Sequence, residues 1–244
     1  MKINKKAFTI LEMSIVVICI SIFLGITVKI TYFVDISKEL STKLKLKKIN
    51  LALENYVRIH GYLPCPSNIK LKVTDPNFGL ELSTDDSECK TTNGLFEYKN
   101  IYVGGIPINA LGLNHNDAVD SWGNKIVYSV SSNIVKNYID TNTNLCVTFT
   151  GTNNKYSKIE NVYYAIISSG KNKFGAIPAS GTSNIKMGEV LSHQQEAVNI
   201  FSQSEFLGGV FNCLAGFSKN NKNFDDILYF GVYNEQLIKK INKK

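Results

Sequence analysis

Arginine and proline are scarce in this chain of 244 residues. Arg58 is the only arginine, although the formal net charge is +7. Proteins that read nucleic acids use arginine for two-pronged contacts with phosphate and guanine, so the sequence argues against a nucleic-acid partner. All five prolines follow residue 63. The first quarter of the chain is therefore free to form an uninterrupted helix.

Signatures of common enzyme classes are missing as well. The sequence contains no GxSxG, no Walker loop and no dinucleotide fingerprint. The segment "HQQEA" places His193 near Glu196 but lacks the second histidine of a zinc protease. Asp225 and Asp226 precede an apolar segment, where a turn is the simpler interpretation. We therefore expect no enzymatic activity and no cofactor.

Cysteines are few, and none occurs in a CxxC or Cys/His spacing typical of zinc. Cys19 lies inside an apolar run, and four others follow it: Cys65, Cys89, Cys146 and Cys213. Four cysteines allow three pairings, and the sequence alone does not choose among them. If this part of the chain is exported, we expect Cys65 to pair with Cys89, and Cys146 with Cys213. Four buried thiols are the alternative.

A long hydrophobic run is the clearest feature that is present. From residue 8 to residue 28, "FTILEMSIVVICISIFLGITV", Glu12 is the only charged residue. A helix of that length rises about 31 Å, close to the thickness of the hydrocarbon core of a bilayer. No small-residue cleavage site of the secretory kind follows the run. It therefore predicts a retained membrane anchor, and a carboxylate inside such an anchor indicates a function for Glu12.

Residues 31–60 continue the run as an amphipathic segment. Apolar side chains recur there at spacings of three to five, with lysines between them: Phe33, Ile36, Leu40, Leu44, Ile49, Leu53, Tyr56 and Val57. Gly61 and Pro64 then predict an end to the helix. We expect one helix from about residue 8 to residue 60, in lipid along its first half and packed on a domain along its second. Two helices broken near Gly25 are the alternative.

The segment "KKAFTILEMSIVV", residues 5–17, resembles the amino-terminal cleavage and methylation motif of type IV prepilins and type II secretion pseudopilins. The resemblance implies that prepilin peptidase cuts between Ala7 and Phe8 and methylates the new amine of Phe8. It also implies that Glu12, at the fifth mature position, pairs with such an amine on a neighbouring subunit and sets the register of a filament. The family prefers glycine before the cut, where this chain has Ala7. A Glu12 that lies among the lipid headgroups is the alternative.

The remainder of the chain predicts an α+β head with an antiparallel sheet. Segments rich in β-branched and aromatic residues are separated by clusters of Asn, Gly, Ser and Thr. We expect strands at 125–132, 145–151, 161–170 and 226–233, and a short helix at 188–201.

A second resemblance lies in "DAVDSWGNKIVYSV", residues 117–130, which is similar to the Asp-Pro-Trp-Gly-Asn stretch that opens the sheet of major pseudopilins. The later segment "AIISSGKNKFGA" resembles the next strand and its loop, which in that family is acidic and helps to bind calcium. Lys171 and Lys173 occur here where carboxylates would be needed. We therefore expect no metal site and expect Asp117 and Asp120 to cap a turn. Calcium at these two aspartates is the alternative.

These features predict four parts: a leader at 1–7, a transmembrane half-helix at 8–30, an amphipathic half-helix at 31–60, and an exported head at 61–244. The resemblance implies a pilin-like or pseudopilin subunit of a type IV pilus or type II secretion filament. Before assembly it would cross the bacterial inner membrane once, with its amino terminus in the cytoplasm and its head in the periplasm. The implied partners are prepilin peptidase, other subunits and the inner-membrane assembly platform. The alternatives are a signal-anchored envelope domain that binds a ligand or partner without polymerising, and an anchored hydrolase.

Overall fold

The protein is represented by a computed structural model. The structure describes residues 9–83, 88–91, 94–98, 100–135, 143, 145–150, 156–173, 175–181, 213–217 and 226–232. For some of these only the backbone is described: 24–30, 96, 98, 148–150, 156–157 and 213–217. The chain divides into two compact units, Met1–Leu40 and Ser41–Lys244.

One long helix, α1 (Ile10–His60), forms the first element. Its backbone stays helical through Gly25, so the expectation of a single helix is confirmed and the two-helix alternative is wrong. Gly61 follows with a φ of 81°, a left-handed conformation that glycine adopts without strain, and its N–H donates to the carbonyl of Val57 at 2.8 Å. Among the described residues, no helix combines the length and the hydropathy needed to cross a membrane.

The first unit presents an apolar surface. Every described side chain from residue 9 to residue 23 is exposed. Ten of them are large and apolar, and they occur on all sides of the helix: Ile10, Leu11, Met13, Ile15, Val16, Val17, Ile18, Ile20, Ile22 and Phe23. A continuous apolar surface of this kind marks a site of contact with lipid or protein. The predicted leader at 1–7 and Phe8 lie outside the described residues.

In the second unit one stripe of α1 is buried: Leu46, Ile49, Leu53 and Val57. The predicted stripe is right for Ile49, Leu53 and Val57, whereas Tyr56 is half-buried. It is wrong before Ile49, since Leu44 is 60% exposed. In the first unit Phe33, Ile36 and Leu40 are exposed too. The prediction fails at Leu44 because Leu44 and Ile49 are five residues apart. Five residues correspond to a rotation of about 140° around the helix axis, so the two side chains lie on different faces.

Seven strands form one sheet in the described part of the chain: β1 (Phe96–Tyr98), β2 (Ile101–Gly105), β3 (Val127–Ser131), β4 (Leu145–Thr150), β5 (Tyr156–Ser168), β6 (Cys213–Phe217) and β7 (Ile227–Val232). Between β2 and β3 lie a short helix, α2 (Ile108–Leu111), and a 3-10 helix (His115–Ala118). A further short helix, α3 (Ser132–Val135), follows β3.

The strand order is β1-β2-β3-β5-β4-β6, with β7 also paired to β5. Five of the strand pairs are antiparallel, so the predicted antiparallel sheet and the α+β class are confirmed. The pair β4–β6 is parallel, which the sequence did not indicate. This exception matters because it brings together two segments that are far apart in the chain.

The four predicted strands are present with shifted ends, and β1, β2 and β6 were not predicted. The largest shift is in β5, which begins at Tyr156 rather than at residue 161. Lys158 and Glu160 lie in this added stretch and form an exposed ion pair at 2.7 Å. Because these residues are charged, the stretch lacks the apolar pattern from which the strand was predicted. The helix predicted at 188–201 lies outside the described residues.

Both faces of the sheet contribute to a hydrophobic core. One face packs with the buried stripe of α1 and includes Tyr128, Val130 and Tyr164. The other face carries a second cluster that includes Ala165 and Ile167. Strands buried on both faces have nearly continuous apolar sequences, and this explains the uninterrupted segment "VYYAII" of β5.

The predicted Cys65–Cys89 disulfide is present, with the two Cα atoms 5.5 Å apart. Cys19 is free and exposed. Cys146 is disulfide-bonded as well, whereas the side chain of Cys213 lies outside the described side chains.

Candidate functional site

The first turn of α1 holds Glu12, the residue that the sequence singles out. The backbone N–H of Thr9 donates to Glu12 Oε2 at 2.9 Å, and the Thr9 hydroxyl donates to the same oxygen at 3.0 Å. In return, the backbone N–H of Glu12 donates to Thr9 Oγ1 at 3.3 Å. This reciprocal arrangement is a capping box. A threonine three residues before a glutamate is its sequence signal, which the sequence analysis missed.

Glu12 keeps capacity for a further partner. Both donors of Thr9 use Oε2, and no donor among the described residues contacts Oε1. A negative charge is favourable at this end of a helix because the unpaired backbone N–H groups carry partial positive charge. Ala7 and Phe8, the predicted processing residues, lie outside the described residues. The pairing of Glu12 with an amine of Phe8 therefore stays a prediction.

Two lysines of α1 in the second unit bind the segment that leads into β3. Lys48 Nζ lies 2.6 Å from Asp117 Oδ2, and Lys45 Nζ donates to the carbonyl of Val119 at 2.7 Å. Asp117 Oδ2 also accepts the N–H of Asn114 at 3.0 Å and caps the 3-10 helix. Burial alone would raise the pKa of Asp117, but the hydrogen bond and charge of Lys48 hold it below its ordinary value. Asp117 therefore joins α1 to the head.

Asp120 caps the next turn, and its side chain is almost fully buried. Oδ1 accepts the backbone N–H groups of Trp122 at 2.9 Å and Asn124 at 2.8 Å. Oδ2 accepts the Asn124 side-chain amide at 3.2 Å and the hydroxyl of Ser168 at 2.9 Å. Four donors thus surround one carboxylate, and they connect the Trp-Gly-Asn turn to the end of β5. The expectation that Asp120 caps a turn is confirmed.

Lys125 was not among the residues singled out from the sequence. In the structure its side chain is buried and only 2% exposed. Its Nζ donates to the carbonyl of Ile69 at 2.7 Å and to that of Leu71, and it lies 5.8 Å from the centre of the Phe78 ring. Burial lowers the pKa of Lys125 to about 8. A sequence signal existed, because Lys125 opens the predicted strand at 125–132, whose nearly continuous apolar residues indicate burial on both faces.

The loop after β5 docks on the same region through its backbone. The N–H of Lys125 donates to the carbonyl of Ile177 at 2.7 Å, and the N–H of Ala179 donates to that of Gly123 at 3.0 Å. Lys171 and Lys173 are exposed. In the described parts of the chain, no three His, Cys, Asp or Glu side chains are placed to hold a metal ion.

Aromatic rings pack at the carboxyl end of α1. The rings of Tyr56 and His60 have centroids 4.2 Å apart, and Tyr62 lies 5.9 Å from each. Beside them Glu81 accepts the backbone N–H of Cys65 at 2.7 Å, and burial raises the pKa of Glu81. The imidazole of His60 is thus part of the aromatic packing at the end of α1.

The remaining candidate residues and His115, a further histidine, do not assemble into a catalytic group in the part of the chain that the structure describes. His115 packs edge to face on Phe78, with ring centroids 5.6 Å apart. His193, Glu196 and Asp225 lie outside the described residues, and Asp226 directly precedes β7.

Comparison with protein-family models, curated proteins and solved structures gave no match to this chain. Only the chain's own residues and geometry therefore indicate its function.

Proposed function

We propose that the chain is a pilin-like or pseudopilin structural subunit of a type IV pilus or a type II secretion filament, without enzymatic activity. The observation that carries the proposal is the start of α1. From Ile10 to Phe23 the helix is apolar on all sides and is interrupted by the single carboxylate of Glu12. Such a surface needs a cover. Lipid covers it before assembly, and helices of neighbouring subunits cover it in the filament.

In this proposal the chain crosses the inner membrane once, with its amino terminus in the cytoplasm and its head in the periplasm. The Cys65–Cys89 disulfide supports export of the head, because such bonds persist in oxidising compartments and are rare in the cytosol. The run of 21 residues from Phe8 to Val28 matches the thickness of a bilayer when helical.

Glu12 supplies the charge that sets the register between subunits. Once prepilin peptidase cuts between Ala7 and Phe8, the new amine lies one helical turn from Glu12, and the same amine of a neighbouring copy is available to bind the carboxylate. A carboxylate in hydrocarbon is costly unless it is paired. The pair is therefore favoured only at the axial position where the two groups meet, and the open Oε1 of Glu12 supports such a partner.

The proposed partners besides prepilin peptidase are other subunits and an inner-membrane assembly platform. Within the second unit, α1 is held to the head by its buried leucines and by the Lys48–Asp117 ion pair. This supports a subunit in which this part of the helix stays attached to the head when the assembly machinery extracts the protein.

Intact-mass measurement on protein from native membranes tests the proposal. In cells with active prepilin peptidase, we expect the loss of residues 1–7 and the gain of one methyl group on Phe8. Cells without the peptidase should yield the full-length mass. The variant Ala7→Gly is a useful second control, since it restores the family's usual residue and should be processed at least as fast. A mass that retains Met1 to Ala7 in the presence of the peptidase would contradict the proposal.

A second candidate is a signal-anchored envelope domain that binds a ligand or partner and does not polymerise. The Thr9–Glu12 capping box favours it, because the box gives Glu12 a role within its own chain. Cross-linking separates the two candidates. Cysteines are placed at the exposed positions Ile15 and Ile22 for this purpose. If the protein is a filament subunit, they should form disulfide links between neighbouring copies. If it is an anchored domain, the protein should stay monomeric.

A further inference from the structure

We infer that the head contains a second disulfide, between Cys146 and Cys213, which locks the parallel pair β4–β6. Cys146 is disulfide-bonded and buried. Of the five cysteines in the chain, Cys65 and Cys89 bond to each other, and Cys19 is free. Cys213 is the one cysteine that remains.

The strand register brings these two cysteines side by side. Cys146 is directly opposite Cys213, and the pairing continues with Val147 opposite Leu214. Neighbouring strands lie about 4.8 Å apart, and directly paired residues share a face of the sheet. Disulfide-bonded cysteines have Cα atoms roughly 4.4–6.8 Å apart. The backbone alone therefore places the two cysteines at bonding distance.

This bond would stabilise the attachment of β6 to the sheet. Within the described sheet, β6 pairs only with β4, and parallel pairing is slightly weaker per residue than antiparallel pairing. The two strands are also far apart in sequence, so bringing them together costs loop-closure entropy. A covalent link between Cys146 and Cys213 removes that cost from every later opening of the pair. The role concerns the head itself, whether or not the chain polymerises.

The chemistry requires an oxidant. The thiols of Cys146 and Cys213 lose two protons and two electrons as the S–S bond forms. The acceptor is the disulfide of a thiol oxidant, whose own S–S bond breaks to give two thiols. The Cys146–Cys213 bond therefore forms only in a compartment that supplies such an oxidant, whereas in the reducing cytosol β6 is held by non-covalent contacts alone.

Peptide mapping of the full-length protein tests the inference. The protein is extracted from membranes in mild detergent, unfolded and alkylated without reduction, and digested. We expect alkylation of Cys19 alone and a linked peptide pair that contains Cys146 and Cys213. Alkylated Cys146 in this sample, or a link from Cys146 to Cys65 or Cys89, would overturn the inference.

Two serine variants measure what the bond contributes. Cys213→Ser should expose one new alkylatable thiol, at Cys146, and should lower the melting temperature by several degrees. Cys19→Ser removes a free thiol and should change neither the melting temperature nor the linked pair. Unchanged thiol counts in Cys213→Ser would contradict the pairing. If that variant does not accumulate, mapping of the unmodified protein still decides.

Discussion

Lys125 Nζ lies 2.7 Å from the carbonyl oxygen of Ile69, inside the head. The carbonyl of Leu71 is its second acceptor. These partners are neutral dipoles, so they offset only part of the cost of removing an ammonium from water. Lys125 thus connects residues 69–71 to the residue pair that precedes β3. Its contribution to the free energy of unfolding depends on pH.

The pH dependence of stability follows from the lowered pKa of Lys125. The pKa is 10.5 for the ordinary side chain and about 8 in the folded head, so the folded state binds fewer protons than the unfolded state between these values. Stability therefore rises as pH increases through this window. Between pH 7.5 and 9.5 we expect a gain of about 2 kcal/mol from this group, measurable by denaturant unfolding at each pH.

Two variants isolate the contribution of Lys125. In Lys125→Met the increase in stability with pH should disappear, because no titrating group is left at this position. Lys47→Met, which removes an exposed lysine of α1, should keep it. The same rise in Lys125→Met as in the unmodified protein would show that another group is responsible.

Asp120→Asn should destabilise the head by about 1–3 kcal/mol, because an amide cannot accept all four of the hydrogen bonds that the buried carboxylate accepts. The matched control is Asp117→Asn. Its ion-pair partner Lys48 has a half-exposed side chain, and such pairs contribute at most about 1 kcal/mol. Thermal or denaturant unfolding ranks the two variants. A larger loss from Asp117→Asn would contradict the role assigned to Asp120.

Glu12→Ala should leave expression and membrane insertion intact and should abolish recruitment into filaments, as measured by cysteine cross-linking between copies. Glu12→Gln distinguishes pairing from capping. Glutamine can still accept the hydrogen bonds of Thr9 but carries no charge, so it should fail as alanine does if an amine must be neutralised. Ser14→Ala, which removes only a hydrogen bond to Leu11, should assemble normally. Normal assembly of Glu12→Gln would leave Glu12 with the capping role alone.

Leu53→Ala and Leu51→Ala change the same residue type two positions apart on α1. Leu53 is fully buried in the core, whereas Leu51 is half exposed. Truncation at Leu53 should cost about 2–5 kcal/mol of folding stability, and truncation at Leu51 should cost less than about 1 kcal/mol. Chemical unfolding of both proteins in detergent gives the comparison. Equal losses would show that the helix is rotated from the orientation described.

Much of the fold was predictable because its signals are local. The apolar run, the late first proline and Gly61 predict α1 and its end, and clusters of β-branched residues predict β3, β4 and β7. Strand β2, "IYVGG", carries the same kind of signal and was missed nonetheless, whereas two other missed stretches lack it. Strand β6, "CLAGF", is short and contains glycine and alanine, and the first residues of β5 are charged on their exposed side.

The candidate site was predictable in part for the same reason. Glu12 stands out because a charge inside an apolar run is visible without a structure, and Asp120 because it precedes Trp-Gly-Asn. The partner of Asp120 at the end of β5, Ser168, is not visible in this way. The two carbonyl groups that accept hydrogen bonds from Lys125 could not be predicted from the sequence either, because every residue has a backbone carbonyl.

The sequence by itself determined the continuous helix, its apolar first half with one carboxylate, and the α+β class, because spacing and composition over a few turns decide each of these. The tertiary structure alone decided that Leu46 faces the core while Leu44 does not, and that β4 and β6 pair in parallel. These outcomes depend on which distant segments pack against one another. Local spacing restricts that choice, but only the burial of the whole core selects it.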